Sequence, residues 1–123
     1  NAKAVSVSGD GGFFFSGVEL ATAVQMNLNT VHIVWQDNHH YDMVKFQEEM
    51  KYDCKSAGVK IADIDIVKFA EAAGAKGLRV DTPDQLDAVL DEAFATEGPV
   101  VVEVPVDYSH NFELMSQLIE SEI

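Results

Sequence analysis

Several residue types are scarce in this chain, and each scarcity argues against a class of protein. Cys54 is the only cysteine among 123 residues, so no disulfide can form within the chain and a cytoplasmic location is expected. Lysine and arginine number 8 against 21 aspartates and glutamates, a net charge of −13. This acidity argues against nucleic acid or an anionic membrane as a partner. No apolar run reaches the roughly 18–20 residues that span a bilayer.

The residues that are abundant indicate a folded α/β domain. Apolar residues make up 47% of the chain, enough for a core of one domain. A strand pattern at Ala4–Ser8, a helical pattern from about Ser16 to Leu28 and a second strand at Thr30–Trp35 predict a βαβ unit with parallel strands. Further helices are predicted from Asp42 or Met43 to about Asp53, from Asp63 or Asp65 to Ala73, from Thr82 to Phe94 and over 111–121, with strands at Gly77–Val80 and Val100–Val104. We therefore predict a mainly parallel sheet with helices.

A glycine-rich segment, Gly9-Asp10-Gly11-Gly12, joins the first strand to the first helix. Glycines allow backbone N–H groups to approach a phosphate, and a helix N-terminus adds partial positive charge. The Asp10 carboxylate would repel a phosphate unless a divalent cation lay between them. Asp37 supplies a second acid, directly after the second strand. Because ligands bind at the carboxyl ends of parallel strands, the pair predicts a metal-assisted phosphate site.

This arrangement resembles the thiamine-diphosphate motif, in which Gly-Asp-Gly is followed, one crossover later, by a polar metal ligand. The flanking segments are similar to the acetolactate synthase family in its catabolic form. They are Val5–Phe13, Trp35-Gln36-Asp37, Tyr41–Gln47 and Val104–Tyr108. The resemblance runs from about Lys3 to Leu118 and covers only the C-terminal part of such an enzyme. It implies a three-layer α/β/α thiamine-diphosphate-binding fold, truncated at its N-terminal side, with residues 1–123 as a partial C-terminal domain.

The resemblance also implies a site for thiamine diphosphate and Mg²⁺. Its metal ligands would be Asp10, Asp37 and the backbone carbonyl of His39. The loop departs from the family's spacing, so His40 is an alternative source of that carbonyl. Gln47 would reach the active site as the catalytic residue of this segment. The implied cofactor-binding residues are Gly9, Asp10, Gly11, Gly12, Asn38, Tyr41 and Met43.

The implied activity is the condensation of two pyruvates to 2-acetolactate with release of CO₂. The implied partners are pyruvate, the N-terminal and middle domains of the same enzyme, and a second subunit in a homodimer or homotetramer. In this family a glutamate that starts proton transfer comes from the N-terminal domain of a partner subunit. We therefore expect the isolated chain to be inactive, to bind cofactor weakly and to self-associate through apolar surface.

Plainer interpretations stand beside each of these assignments. Asp10 is also typical of an ordinary turn that binds no metal, and Asp37 is typical of a loop or a helix N-cap. Met43 fits core packing, and Gln47 fits an exposed helix position. The His39-His40 pair permits a transition-metal site, although exposed histidine pairs are more often only solvated.

Other functions remain open at this stage. An anabolic acetohydroxyacid synthase and a 2-oxo acid decarboxylase would use the same cofactor site. A non-enzymatic α/β module that binds Mg²⁺ and phosphate would also use paired acids. Of the remaining histidines, His32 is expected to be a hydrogen-bonded core residue and His110 a surface residue.

Overall fold

The computed structural model describes residues 2–37, 40–53, 55–111, 113, 114 and 117. The chain divides into two compact units. The first unit comprises Asn1–Gln36 and Ile64–Pro105, and the second comprises Asp37–Asp63 and Val106–Ile123. The C-terminal helix predicted over 111–121 lies largely outside the described residues.

A four-stranded parallel sheet forms the centre of the first unit. Its strands are β1 (Ala4–Gly9), β2 (Thr30–Gln36), β3 (Lys76–Arg79) and β4 (Val100–Pro105). Their spatial order is β1-β2-β4-β3. Gly9 pairs with Trp35 at the carboxyl end of the first two strands. Both of these strands therefore end at the same edge of the sheet, which confirms the predicted parallel arrangement.

Helices cover both faces of this sheet. The helices of the first unit are α1 (Asp10–Ser16), α2 (Leu20–Gln25), α4 (Ile66–Ala72) and α5 (Leu86–Ala95). One face packs against α1, α2 and α4 through the buried residues Phe13, Leu20, Val34, Ile66, Ala70, Ala75 and Val101. The other face packs against α5 through Val31, Val80, Ala93, Val100 and Val102. The sheet is thus the middle of three layers, as predicted.

Strand β1 lies at one edge of the sheet and is poorly covered. Its Val5 and Val7 side chains are 48% and 61% exposed. The Ala4 N–H donates to the Asn29 carbonyl on the β2 side. Because neighbouring residues of a strand direct their N–H groups to opposite sides, the N–H groups of Val5 and Val7 face the open edge. This edge resembles the unprotected strands to which other chains add.

Helix α1 begins at Asp10, so the predicted start near Ser16 was wrong. Gly11 and Gly12 occupy its first turn, where backbone N–H groups lack intrahelical acceptors in any case. Edge-on aromatic contacts then hold the helix against α4. The ring centroids of Phe13 and Phe14 each lie 5.8 Å from that of Phe69. This packing offsets the low helix propensity of the two glycines.

The later helix boundaries follow their capping residues. Asp65 accepts a hydrogen bond from the Lys68 N–H and caps α4, and Gly74 follows its end with a φ of +88° that favours glycine. Thr82 and Gln85 form the predicted capping box around a 3₁₀ turn over Pro83–Gln85, which leads into α5.

No helix in the described part of the chain has the length and hydrophobicity that crossing a bilayer requires.

The second unit contains α3 (Asp42–Lys51) and the loops on either side of it. The Tyr41 N–H donates to the Val59 carbonyl at 2.9 Å, and His40 forms an antiparallel bridge with Lys60. These contacts attach the loop before α3 to the segment that follows the helix. A small cavity of about 200 Å³ lies between α3 and residues 108–111.

Candidate cofactor site at the carboxyl ends of two strands

Asp10 is a buried carboxylate at the first position of α1. It directly follows Gly9, the last residue of β1, and is 8% exposed. Its Oδ1 accepts a hydrogen bond from the Gly11 N–H at 2.6 Å. A charge with so little contact with water requires donors or a cation nearby. This position is therefore suited to a metal ligand, and it is not an exposed turn position.

The glycines around Asp10 leave the backbone at the start of the helix without covering side chains. Gly9 is the N-cap residue with extended backbone, and no side chain caps the helix there. Gly12 is exposed in the first turn. A ligand could thus approach the backbone at this turn without meeting a side chain of Gly11 or Gly12.

Gln36 is a buried polar residue at the end of β2, and no role was predicted for it from the sequence. It is 2% exposed, and its Nε2 donates to the Ile64 carbonyl at 3.1 Å. Its Oε1 has no hydrogen-bond partner among the described residues. A buried acceptor without a donor costs about 1–3 kcal/mol. The amide joins the end of β2, one residue before Asp37, to the segment that enters α4.

Asp37, His40 and Asp42 form a cluster in the second unit. Each of these half-buried residues offers one ligand atom, and the three atoms lie within 4.8 Å of one another. Asp42 is the first residue of α3. Asp37 and His40 were predicted from the sequence as candidate ligands, whereas Asp42 was not. The spacing Asp37-x-x-His40-x-Asp42 is the signal that would have indicated it.

The remaining predicted residues are placed as follows. Asn38 and His39 lie outside the described residues. Tyr41 is the N-cap residue of α3 and is 37% exposed. Met43 is 49% exposed and lines the small cavity beside α3, so the alternative of a core residue was wrong. Gln47 is exposed on α3, a position consistent with either of its two interpretations.

His32 belongs to a different feature, a groove between β1, β2 and the α1–α2 segment. Its Nδ1 lies 2.8 Å from Ser6 Oγ, and its Nε2 lies 3.0 Å from Thr30 Oγ1. Burial lowers the pKa of His32 below 6.5. Both ring nitrogens thus have hydroxyl partners, which confirms the expected hydrogen bonding, but His32 is half-buried and lines the groove, so the expected core position was wrong. The groove has a volume of about 420 Å³.

The chain belongs to the family described as thiamine pyrophosphate enzyme, C-terminal TPP binding domain, which matches residues 1–104. It is similar to the acetolactate synthase of Bacillus subtilis, with 56% identity over 120 residues. It is also similar to the catabolic acetolactate synthase of Raoultella terrigena, with 47% identity over 121 residues. Both alignments cover 98% of this chain and 21% of the relative.

A solved structure supports the same grouping. The benzoylformate decarboxylase from Polynucleobacter necessarius matches with a TM-score of 0.77 and 33% sequence identity. The match covers 86% of this chain and 20% of that chain. The chain therefore spans about a fifth of the length of the relatives it matches. These findings confirm the resemblance to acetolactate synthase, the α/β fold and the thiamine-diphosphate cofactor.

The residues present fit the family's cofactor. Mg²⁺ prefers hard oxygen ligands, and Asp10 and Asp37 are carboxylates that follow the ends of neighbouring parallel strands. The buried position of Asp10 would be compensated by a divalent cation. The first-turn N–H of Gly12 lacks an intrahelical acceptor and is available to a diphosphate, whereas the Gly11 N–H already donates to Asp10 Oδ1. Mg²⁺ with thiamine diphosphate thus suits the chemistry of these donors.

Proposed function

We propose that this chain is the C-terminal part of an acetolactate synthase and binds the Mg²⁺–diphosphate end of thiamine diphosphate. The observation that carries the proposal is Asp10, an almost fully buried carboxylate placed between β1 and the glycine turn of α1. Membership in a thiamine-pyrophosphate-binding family supports it. The 56% identity to an acetolactate synthase favours that activity over others in the family.

In this proposal each site residue has a defined task. Asp10 and Asp37 bind Mg²⁺ through carboxylate oxygens, with a backbone carbonyl from His39 or His40. Gly9, Gly11 and Gly12 offer backbone N–H groups to the diphosphate, and the Gly11 N–H exchanges its present bond to Asp10 Oδ1 for this one. The remaining cofactor-binding residues are Asn38, Tyr41 and Met43.

Gln47 is proposed to face the substrate. Thiamine diphosphate, when bound, supplies an electron sink for decarboxylation of a 2-oxo acid. The substrate would be pyruvate, condensed to 2-acetolactate with release of CO₂. An exposed amide on α3 is available to donate a hydrogen bond to a substrate carboxylate or carbonyl.

The proposed partners are further domains of the same enzyme and a second subunit. The relatives are about five times as long as this chain, because it covers 21% of them. The exposed apolar side chains of β1, Val5 and Val7, support additional packing on this strand. The isolated chain is accordingly proposed to be inactive, since residues of other domains are required. The single cysteine supports a cytoplasmic location.

A 2-oxo acid decarboxylase is the second candidate. Its support is the TM-score of 0.77 and 33% identity to a benzoylformate decarboxylase. An anabolic acetohydroxyacid synthase would use the same cofactor residues but would also bind FAD outside this chain. A non-enzymatic phosphate-binding module is less favoured, because the family that matches is one of enzymes.

The decisive experiment uses the full-length enzyme that contains this chain. Pyruvate turnover would be measured with thiamine diphosphate and Mg²⁺ and without FAD, following CO₂ and acetolactate together. Acetolactate from flavin-free protein is the expected result. Formation of CO₂ with acetaldehyde would identify the enzyme as a decarboxylase. The absence of both turnover and cofactor binding would refute the proposed site. Acetolactate formed by the isolated 123-residue chain would refute the proposed inactivity.

A further inference from the structure

We propose that Asp37, His40 and Asp42 form a binding site for a borderline divalent metal such as Zn²⁺. Their three ligand atoms lie within 4.8 Å of one another. All three residues belong to the second unit and are half-buried. One imidazole nitrogen and two carboxylate oxygens form a mixed donor set, which suits Zn²⁺ better than Mg²⁺.

The backbone of the cluster is held at His40 and on its C-terminal side. The Tyr41 N–H donates to the Val59 carbonyl at 2.9 Å, and the Lys45 N–H donates to the Tyr41 carbonyl at 2.9 Å. His40 itself is bridged to Lys60. Two of the three ligands, His40 and Asp42, therefore flank an anchored residue. For these two ligands, metal binding then requires adjustment of side chains more than of the backbone.

The separations are compatible with coordination after a small contraction. Zn²⁺ binds nitrogen and oxygen ligands at about 2.0–2.2 Å, which places two tetrahedral ligand atoms about 3.4 Å apart. The present separations reach at most 4.8 Å. Rotation of the side chains can close this difference. The fourth position would hold water, as in sites with three protein ligands.

The charge of the cluster also favours a cation. Two carboxylates and a neutral imidazole balance the charge of a divalent ion. The chain as a whole carries −13, which attracts cations. Asp37 and His40 already have other interactions, so a metal must replace or share them. The competing explanation is an imidazole–carboxylate contact without metal, and the experiment separates the two.

The primary test is Zn²⁺ titration of the chain by calorimetry in chelator-free buffer. We expect one Zn²⁺ per chain, with binding at least about ten-fold weaker in His40→Gln and in Asp42→Asn, since even outer partners of a metal site contribute that much. His110→Gln and Asp63→Asn are matched controls from the same unit and should bind as the unchanged chain does. No stoichiometric binding, or a loss only in His39→Gln with His40→Gln unaffected, would overturn the proposal.

A second measurement does not depend on the variants folding. Paramagnetic Co²⁺ added to the unchanged chain should broaden the His40 ring resonances before those of His110 and His32, and Zn²⁺ should reverse the effect. Equal broadening of all histidines would contradict a specific site.

One consequence of the metal site rests on the proposed function. Because Asp37 is shared, Zn²⁺ bound to the cluster should weaken binding of Mg²⁺–thiamine diphosphate, and His40→Gln should relieve this inhibition. If the chain binds Zn²⁺ but never binds the cofactor, the proposed function fails while the metal site stands. If the cofactor binds and Zn²⁺ has no effect on it, the shared ligand is refuted.

Discussion

Arg79 donates two hydrogen bonds to one carboxylate oxygen of the buried Glu103, from Nε at 3.1 Å and from Nη2 at 2.8 Å. The Glu103 side chain is 3% exposed and that of Arg79 is 40% exposed. Burial raises the pKa of Glu103, and the hydrogen bond from Arg79 only partly opposes this shift. The guanidinium thus compensates a carboxylate that burial disfavours. Because β3 and β4 are neighbours, the pair also joins these two strands.

Arg79→Met should destabilise the fold because it leaves the Glu103 carboxylate buried without its cation. We expect the free energy of unfolding to fall by about 2–3 kcal/mol, less than for a fully buried pair because Arg79 is partly exposed. Urea denaturation measures this loss. The double variant Arg79→Met/Glu103→Leu should recover much of it, and an unchanged stability of Arg79→Met would contradict the proposed compensation.

Gly77→Ala should be destabilising because α4 approaches β3 closely at this residue. An added Cβ would lie 2.7 Å from the Val67 carbonyl oxygen, and relief of such overpacking costs about 1–3 kcal/mol. Gly12→Ala is the matched control, since its Cβ would lie 3.6 Å from Ser8 Cβ. Thermal unfolding of both variants tests the contrast, and equal midpoints would argue against the close approach.

His32 should titrate below 6.5, because burial lowers its pKa in the folded chain. The unfolded chain then binds a proton that the folded chain excludes, so stability falls as the pH drops from 6.5 through the lowered pKa. NMR titration of the His32 ring gives the pKa directly. His32→Gln should flatten the pH dependence of unfolding in this window, and a ring pKa above 6.5 would contradict the effect of burial.

Asp10→Asn should weaken Mg²⁺-dependent binding of thiamine diphosphate by more than about ten-fold, because a neutral amide is a poor ligand for a hard cation. Folding stability should not fall, since the buried group is no longer charged. Trp35 is the only tryptophan in this chain. Its fluorescence can report cofactor binding in the full-length enzyme once any tryptophans outside this chain are replaced. Asp87→Asn, in the first turn of α5, is the control and should leave affinity unchanged.

Val7→Lys should reduce self-association of the isolated chain. Val7 is 61% exposed on an edge strand whose outer N–H groups face away from β2. A charge at this position opposes the addition of another strand. Sedimentation analysis would compare it with Ala72→Lys, which adds the same charge at an exposed position of α4. Equal association of the two variants would exclude β1 as the contact surface.

Local sequence was sufficient for most of the elements and for part of the site. Apolar periodicity and capping residues are properties of short segments, so they predicted the strands, the end of α4 before Gly74 and the capping box at Thr82 that precedes α5. The same local pattern placed Asp10 and Asp37 after consecutive strands. The start of α1 was missed, because contacts with Phe69, distant in the chain, stabilise a turn that two glycines would otherwise weaken.

Tertiary packing alone decided the features that join distant segments. The insertion of β4 between β2 and β3 depends on which strands can pair once the helices cover the sheet. Burial of Gln36 and Glu103 depends in the same way on neighbours far along the chain. The cluster of Asp37, His40 and Asp42 requires a loop conformation held by contacts with Val59 and Lys60. No periodicity within a short segment encodes such contacts, because their free energy arises only when the segments meet.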